Sequence, residues 1–303
     1  MTSVATDRPG LRQRLARWKQ RLQGREDPNL VAARQHRSFD AMSGILGWML
    51  GLARSELGAL PLSGRALEIG TGQFMAHAAG LYVCGFDRVL TVDRYRQLSP
   101  SLMQASLEKP VLARRFLSPF VSHDQYMARW RQLAATGCLP EKLAAIGIDY
   151  RAPMEAAALA EDAERFDLVF SYTVLEHVPP AELPGLLAAT SGLLAPGGVA
   201  LHFVDLEDHR DPRGAPFAFL APAPEWTDAQ CGERGNRLRF AEWQRLLSEH
   251  TTLAWKFPYV AVRYDTPLPA TFDAGIKSKD EDDWRTTAFV AVARAPGGKG
   301  GGP

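Results

Sequence analysis

Cysteine is scarce in this chain. Cys84, Cys138 and Cys231 are its three thiols, far apart and without a CxxC pair. That spacing argues against a disulfide framework and a zinc site, and a reducing cytoplasm is the natural compartment. A surplus of charge is missing too. Thirty-five basic residues face 34 acidic ones, a net charge of +1 over 303 residues. Nothing in that balance asks for a polyanion, and no nucleic-acid partner is expected. Long apolar runs are also absent. The most apolar stretch, AMSGILGWMLGLA, is shorter than the about 20 residues a membrane-spanning helix needs, and the opening MTSVATDRPG lacks the apolar centre of a secretion signal. No internal repeat is visible. With 46% hydrophobic and 23% charged residues, the chain has ample material for a buried core.

The order of patterns gives the organisation. Residues 1–60 read as an N-terminal tail and helical cap, 61–295 as one α/β domain, and the glycine-rich 296–303 as a disordered tail. In LRQRLARWKQRL, the residues Leu11, Leu15, Trp18 and Leu22 recur at helical spacing among Arg and Lys. Such a basic amphipathic helix can lie on a membrane surface, though packing on its own domain is the simpler expectation. A second helical stretch is expected from about Leu30 to Ala59. From Arg65 onward, apolar runs alternate with helical patterns, which marks a parallel sheet. The expected strands are RALEIG, RVLTVD, the region of IGIDY, FDLVFSY and GVALHFVDL, followed by an antiparallel pair from TTLAWKFPYVAVRY and RTTAFVAVARA. Two insertions, at about 96–145 and 206–236, follow strand ends and are expected to form a cap over the substrate.

The stretch RALEIGTGQFMAHAAG ends an apolar run in an acid, Glu68, and then places Gly70 and Gly72 around Thr71. Two glycines after a buried strand allow a tight turn and close approach of backbone to a ligand. The third glycine of a dinucleotide fingerprint is missing, with Met75 in its place. A carboxylate before the loop disfavours pyrophosphate but suits an amino group or a ribose hydroxyl. About 20 residues on, Asp93 ends VLTVD, where a carboxylate accepts hydrogen bonds from ribose.

In order and spacing, ALEIGTGQF, VLTVDRY, RFDLVFSYTVLEHVPP and LLAPGGVALHF resemble the motifs of class I S-adenosylmethionine-dependent methyltransferases, over roughly Arg65 to Asp205. The resemblance implies a Rossmann-like seven-stranded sheet with an antiparallel terminal strand, here with helical cap insertions. It also implies S-adenosyl-L-methionine as cofactor, laid across the strand tips. Glu68, Gly70, Thr71 and Gly72 would border its methionine and ribose, and Asp93 would hold the ribose hydroxyls. Arg94 would lie beside the adenine, with Met154 and Glu155 at its face and amino group. Ser171 and Tyr172 would sit under the sulfonium.

Methyl transfer to an oxygen or nitrogen of high pKa needs a base as well as alignment. In HFVDLEDHRD, a carboxylate and an imidazole four residues apart make His209 the first candidate, with Asp205 as its orienter or a substrate contact. His177 in LEHV, beside Glu176, is the second. A similar acid-rich segment holds a divalent metal in some members of the resembling family, but Thr173 stands where those have a further acid, so no metal is expected. Arg237 and Arg239 are candidates for an anionic substrate group or for surface charge. The apolar lid residues Phe217, Phe219, Leu220 and Trp226 suit a bulky substrate or packing within the cap. The expected activity is methylation of a hydroxyl on a small-molecule or glycan-type metabolite. N- or C-methylation, or a scaffold that keeps the fold without turnover, are the alternatives, and the oligomeric state stays open.

Overall fold

A computed structural model of the chain describes residues 28–108, 110–161, 164–223 and 225–297. The basic helix expected at 11–22 and the glycine-rich end beyond 297 lie outside the described residues. Seven strands form one sheet: β1 (Arg65–Ile69), β2 (Arg88–Val92), β3 (Ile148–Arg151), β4 (Phe166–Tyr172), β5 (Leu194–Asp205), β6 (Lys256–Val262) and β7 (Thr286–Arg294). Their order is β3-β2-β1-β4-β5-β7-β6. The first five pair parallel, and β7 is antiparallel to both β5 and β6. The sheet is thus the Rossmann-like one expected, with β7 inserted inside β6 so that β6 forms the edge.

The strands carry the composition that this burial demands. β1 and β2 each begin on an exposed arginine and continue through four buried residues. Such runs suit parallel strands covered on both faces. Among the described residues, eleven helices surround the sheet: α1 (Pro28–Arg34), α2 (Phe39–Leu57), α3 (Ala76–Cys84), α4 (Pro100–Ser106), α5 (Ala113–Leu117), α6 (His123–Thr136), α7 (Pro140–Ala145), α8 (Leu183–Gly192), α9 (Asp228–Arg234), α10 (Phe240–His250) and α11 (Glu281–Arg285). The larger core lies on the α2 and α3 face, where Phe39, Leu46, Tyr82 and Phe86 meet Leu168 and Phe170 of β4. On the opposite face, Leu183, Leu187, Trp243 and Leu247 of α8 and α10 pack on Val204 and Phe289.

The helical stretch expected from Leu30 to Ala59 is two helices rather than one. Ser38 interrupts it in extended conformation, and its hydroxyl accepts the Ala41 amide at 3.3 Å to start α2 afresh. Asp40, in the first turn of α2, caps α5: its carboxylate accepts the amides of Val111, Leu112 and Ala113 at 2.8, 2.9 and 2.6 Å. The insertion at 96–145 folds as the short helices α4 to α7. Among the described residues, no helix is long and apolar enough to cross a membrane.

The packing decides one open reading and corrects another. Phe217, Phe219 and Leu220 are buried against Ile276, with Trp226, Phe272 and Trp284 around them, so the lid's apolar side chains satisfy one another. Arg237 and Arg239 turn inward. Arg237 pairs with Asp273 at 2.8 Å and lies over the Trp226 ring. Arg239 is fully buried, and its guanidinium donates to the carbonyls of Leu206, Trp284 and Thr286. Burial lowers its pKa to about 10, which leaves it charged at neutral pH. It ties the exit of β5 to the entry of β7. Replacing Arg239 by methionine fills the space but orphans those carbonyls. The substitution is expected to cost about 3–5 kcal/mol in a urea titration; an unchanged midpoint would refute this role.

Candidate active site

Strand order reverses between β1 and β4, and the connections after their carboxyl ends part there. A cleft of about 1700 Å³ opens along this line, the place where open α/β sheets bind ligands. The loop after β1 forms its floor. Gly70 has φ +86°, and a Cβ on it would stand 2.2 Å from Val174 Cγ2. The loop can therefore lie against the β4 exit only with glycine here. Gly72 has φ +61°, and a Cβ there would meet nothing within 4 Å, so its bare backbone borders open space in the cleft. The Gly72 amide donates to Asp93 Oδ2 at 2.9 Å, and the Tyr95 amide to Oδ1 at 2.9 Å. One carboxylate at the tip of β2 thus ties down two loops and keeps lone pairs for a ligand.

Behind the loop lies a buried polar chain. Thr71 Oγ1 stands 2.6 Å from Thr91 Oγ1, and Thr91 donates to Glu68 Oε2 at 2.5 Å, so Thr71 is the donor of the first bond. Burial dominates at Glu68 and raises its pKa to about 8, against the opposing pull of the Thr91 bond. His77, in the first turn of α3, faces Glu68 Oε1 at 3.9 Å, and burial lowers its pKa to about 3. At neutral pH both groups are uncharged, so their contact is no ion pair. His77 Nε2 is buried without a hydrogen bond, and the ring lies 5.0 Å from that of Tyr172. Its place in the first helical turn after the glycine loop was the one sequence signal available for it.

The other expected residues divide. Tyr172 lines the cleft and packs on Phe203 at 5.0 Å. Ser171 does not, because side chains alternate along a strand: its hydroxyl turns to the other face and meets His202 Nδ1 at 2.8 Å. Met154 lines the cleft, its amide bonded to the Asp93 carbonyl. Arg94 and Glu155 were expected at the adenine, each facing a ligand. Both border the cleft and face each other at 2.5 Å, and Arg94 also holds Glu182 at 2.6 Å. Both bonds raise the Arg94 pKa. The three side chains form a strap at the cleft's rim, joining β2, the segment after β3 and the start of α8.

At the far end of the cleft the chain leaves β4 through Thr173, with φ +51°, a strained conformation for a β-branched residue. The bend aims a 3₁₀ turn, Leu175–His177, toward the exit of β5. There Asp205 Oδ2 lies 3.6 Å from His209 Nε2, and the rings of His177 and His209 meet edge to face at 4.6 Å. Asp205, His177 and His209 all border the cleft. Burial, then the neighbouring His209, lowers the His177 pKa. Glu176 is wholly buried beside them, and burial raises its pKa well above the carboxylate range.

The family model described as "Methyltransferase domain" matches residues 50–257, which span both the glycine loop and the histidine end. This chain belongs to that family. The methyltransferase is 46% identical over 54 residues to the ubiquinone biosynthesis O-methyltransferase of Brucella anthropi, a match covering 18% of this chain and 21% of that one. The enzyme from Brucella ovis matches at 44% over 54 residues with the same coverage. The chain thus matches about a fifth of the length of these curated relatives. Among solved structures, the N-methyltransferase NodS from Bradyrhizobium japonicum aligns with TM-score 0.40 and 15% identity over 85% of this chain and 97% of that one. An S-adenosylmethionine-dependent methyltransferase from Mesorhizobium loti gives 0.45 and 17% over 83% and 97%.

The glycine-loop end of the cleft fits S-adenosyl-L-methionine, the cofactor that the sequence motifs imply. Bare backbone at Gly72 and the spare lone pairs of Asp93 suit a ribose. Met154 offers an apolar side chain nearby.

The buried carboxyl makes a pH test. Glu68 in the unfolded methyltransferase ionises near its ordinary 4.5, whereas in the fold it keeps its proton up to about 8. The folded state then binds the extra proton, and stability falls as pH rises through that window. His77 works in the opposite sense, but below 6.5. Glu68→Gln keeps an acceptor for Thr91 and has no charge to bury. Its melting temperature is expected to fall less than the wild type's between pH 6.5 and 8; parallel curves would remove Glu68 as the cause.

Proposed function

We propose that the methyltransferase transfers a methyl group to a hydroxyl of a small-molecule or glycan-type metabolite. The observation that carries this reading is the Asp205–His209 pair, which borders the same cleft as the glycine loop. The O-methyltransferases matched over 54 residues support oxygen as the acceptor atom. At about 1700 Å³ the cleft exceeds the about 300–1,000 Å³ of a typical ligand site, which supports room for donor and acceptor together.

When bound, S-adenosyl-L-methionine supplies a methyl group on a sulfonium, open to in-line attack. The protein's part is alignment, shielding and removal of one proton. The glycine loop and Asp93 hold the ribose. Tyr172, backed by Phe203, presents aromatic surface where the acceptor lies. His209 accepts the hydroxyl proton at a ring nitrogen, and Asp205 orients the imidazole and steadies the imidazolium that results. His177 packs on His209 and keeps its ring in place. The Arg94 strap closes the donor's end against water.

Calorimetric titration with S-adenosylhomocysteine, with NADH as a parallel ligand, tests the donor. Micromolar binding of the first alone is expected, lost in Gly70→Arg because that side chain collides with Val174. Binding of NADH alone would overturn the reading. For the acceptor end, His209→Gln is expected to keep S-adenosylhomocysteine affinity and to lose about 10²–10⁴-fold in turnover with a hydroxylated acceptor found by screening. Full turnover in that variant would remove His209 from the reaction.

A further inference from the structure

Arg37 is a cation of the cleft with no carboxylate of its own. It stands at the corner between α1 and α2, where its amide bonds the Ala32 carbonyl at 2.8 Å and Ser38 caps the next helix. Its side chain is exposed and borders the cleft. The cleft's other guanidinium, Arg94, is held by Glu155 and Glu182, whereas no carboxylate among the described residues pairs with Arg37. The Arg37 charge bears on two side chains of the inner wall, His77 and Tyr172. His77 is 8% exposed, and its Nε2 is buried without a hydrogen bond. Because Nδ1 faces the protonated Glu68, Nε2 is left to carry the ring's own hydrogen. Buried polar atoms in native folds are nearly always satisfied. A free guanidinium and a buried N–H on one wall therefore point to a missing acceptor of hydrogen bonds.

We propose that Arg37 and His77, beside Tyr172, form a binding site for a carboxylate on the methyl acceptor, so that the substrate is a hydroxy acid. A planar guanidinium matches a carboxylate with two parallel N–H···O bonds, and the His77 N–H adds a third donor. Tyr172 gives the direction in which such an acceptor lies. Arg37 and Asp205 both act on its hydroxyl, so this wall runs from the anion site past Tyr172 to the Asp205–His209 pair. The opposite orientation is disfavoured by charge. Asp205 and Asp228 border the cleft at its histidine end, where α9 packs on the His177 turn, and like charges set side by side are costly.

The inference rests on the hydroxyl reading above and narrows it to one substrate class. A site built to pair a polar group rejects an analogue that lacks it, because the site's own donors are then left unpaired. An amide in place of the carboxylate removes the charge and turns an N–H toward the guanidinium. Selectivity for hydroxy acids over their amides follows. The methionine part of the donor also bears a carboxylate, the other source of the same chemistry, and the test below tells the two apart.

The test is calorimetry on full-length protein saturated with S-adenosylhomocysteine, using 4-hydroxyphenylacetate and 4-hydroxyphenylacetamide as probes. The acid is expected to bind about 10–100-fold more tightly than the amide, the range for a charge-assisted pair. That preference should vanish in Arg37→Met, persist in part in Arg37→Lys, and shrink in His77→Phe, which keeps a ring against Tyr172. S-adenosylhomocysteine and its decarboxylated analogue, titrated into the same proteins, identify the source of the carboxylate. Both are expected to bind Arg37→Met as they bind the wild type, which also shows that the variant is folded. A loss confined to S-adenosylhomocysteine would assign the site to the donor and overturn the proposal. So would a wild type that binds the acid no better than the amide, or a preference unchanged in Arg37→Met. Methylation found only at nitrogen or carbon would sink the hydroxyl reading, whereas the acid preference reads the anion site by itself.

Discussion

Gly70 presses its backbone against the side chain of Val174, and the cleft depends on that contact. With no Cβ in the way, the loop after β1 and the exit of β4 touch at the sheet's switch point. Beyond it the two connections diverge, one into α3 and the other into the 3₁₀ turn at Leu175–His177. Close contact at the base and divergence above it make a trough rather than a filled core. The left-handed Thr173 is the cost on the β4 side. It breaks the strand direction at once, and so His177 reaches the cleft instead of continuing past it.

Several strongly shifted titratable groups gather along the same edge of the sheet. Glu68, His77, Glu176 and His202 are all buried there, and burial shifts each toward its neutral form. Salt bridges such as Arg88–Asp149, Arg245–Glu249 and Lys256–Glu56, by contrast, lie at least partly in solvent and contribute little to stability. A fold that hides carboxyls and imidazoles under its strand tips gives up stability for chemistry. Arg239 offsets part of that loss by anchoring the carbonyl of Leu206, the residue after Asp205, from inside the protein.

Much of the fold and the donor end of the site was legible in the sequence. Buried parallel strands write themselves as short apolar runs, and a tight turn needs glycine, so β1, β2, Gly70, Gly72 and Asp93 all follow from neighbours in the chain. The break at Ser38 was hidden by apolar residues that continue on either side of it. Ser171 was misplaced because proximity to a strand tip does not say which face a side chain takes. Arg94 and Glu155, some sixty residues apart, are each readable as ligand-facing until the fold joins them.

By itself, the sequence determined the α/β architecture, the antiparallel end of the sheet and the nucleotide loop, all of which rest on local periodicity and backbone sterics. Only the tertiary structure decided the rest. It closed the Arg94 strap, turned Arg237 and Arg239 inward, buried the lid's aromatic residues in one another and brought Glu176 and His177 to Asp205 and His209. Those arrangements come from desolvation and from packing between distant segments. Their energies depend on what surrounds each group once the chain is folded, and no stretch of sequence carries that information.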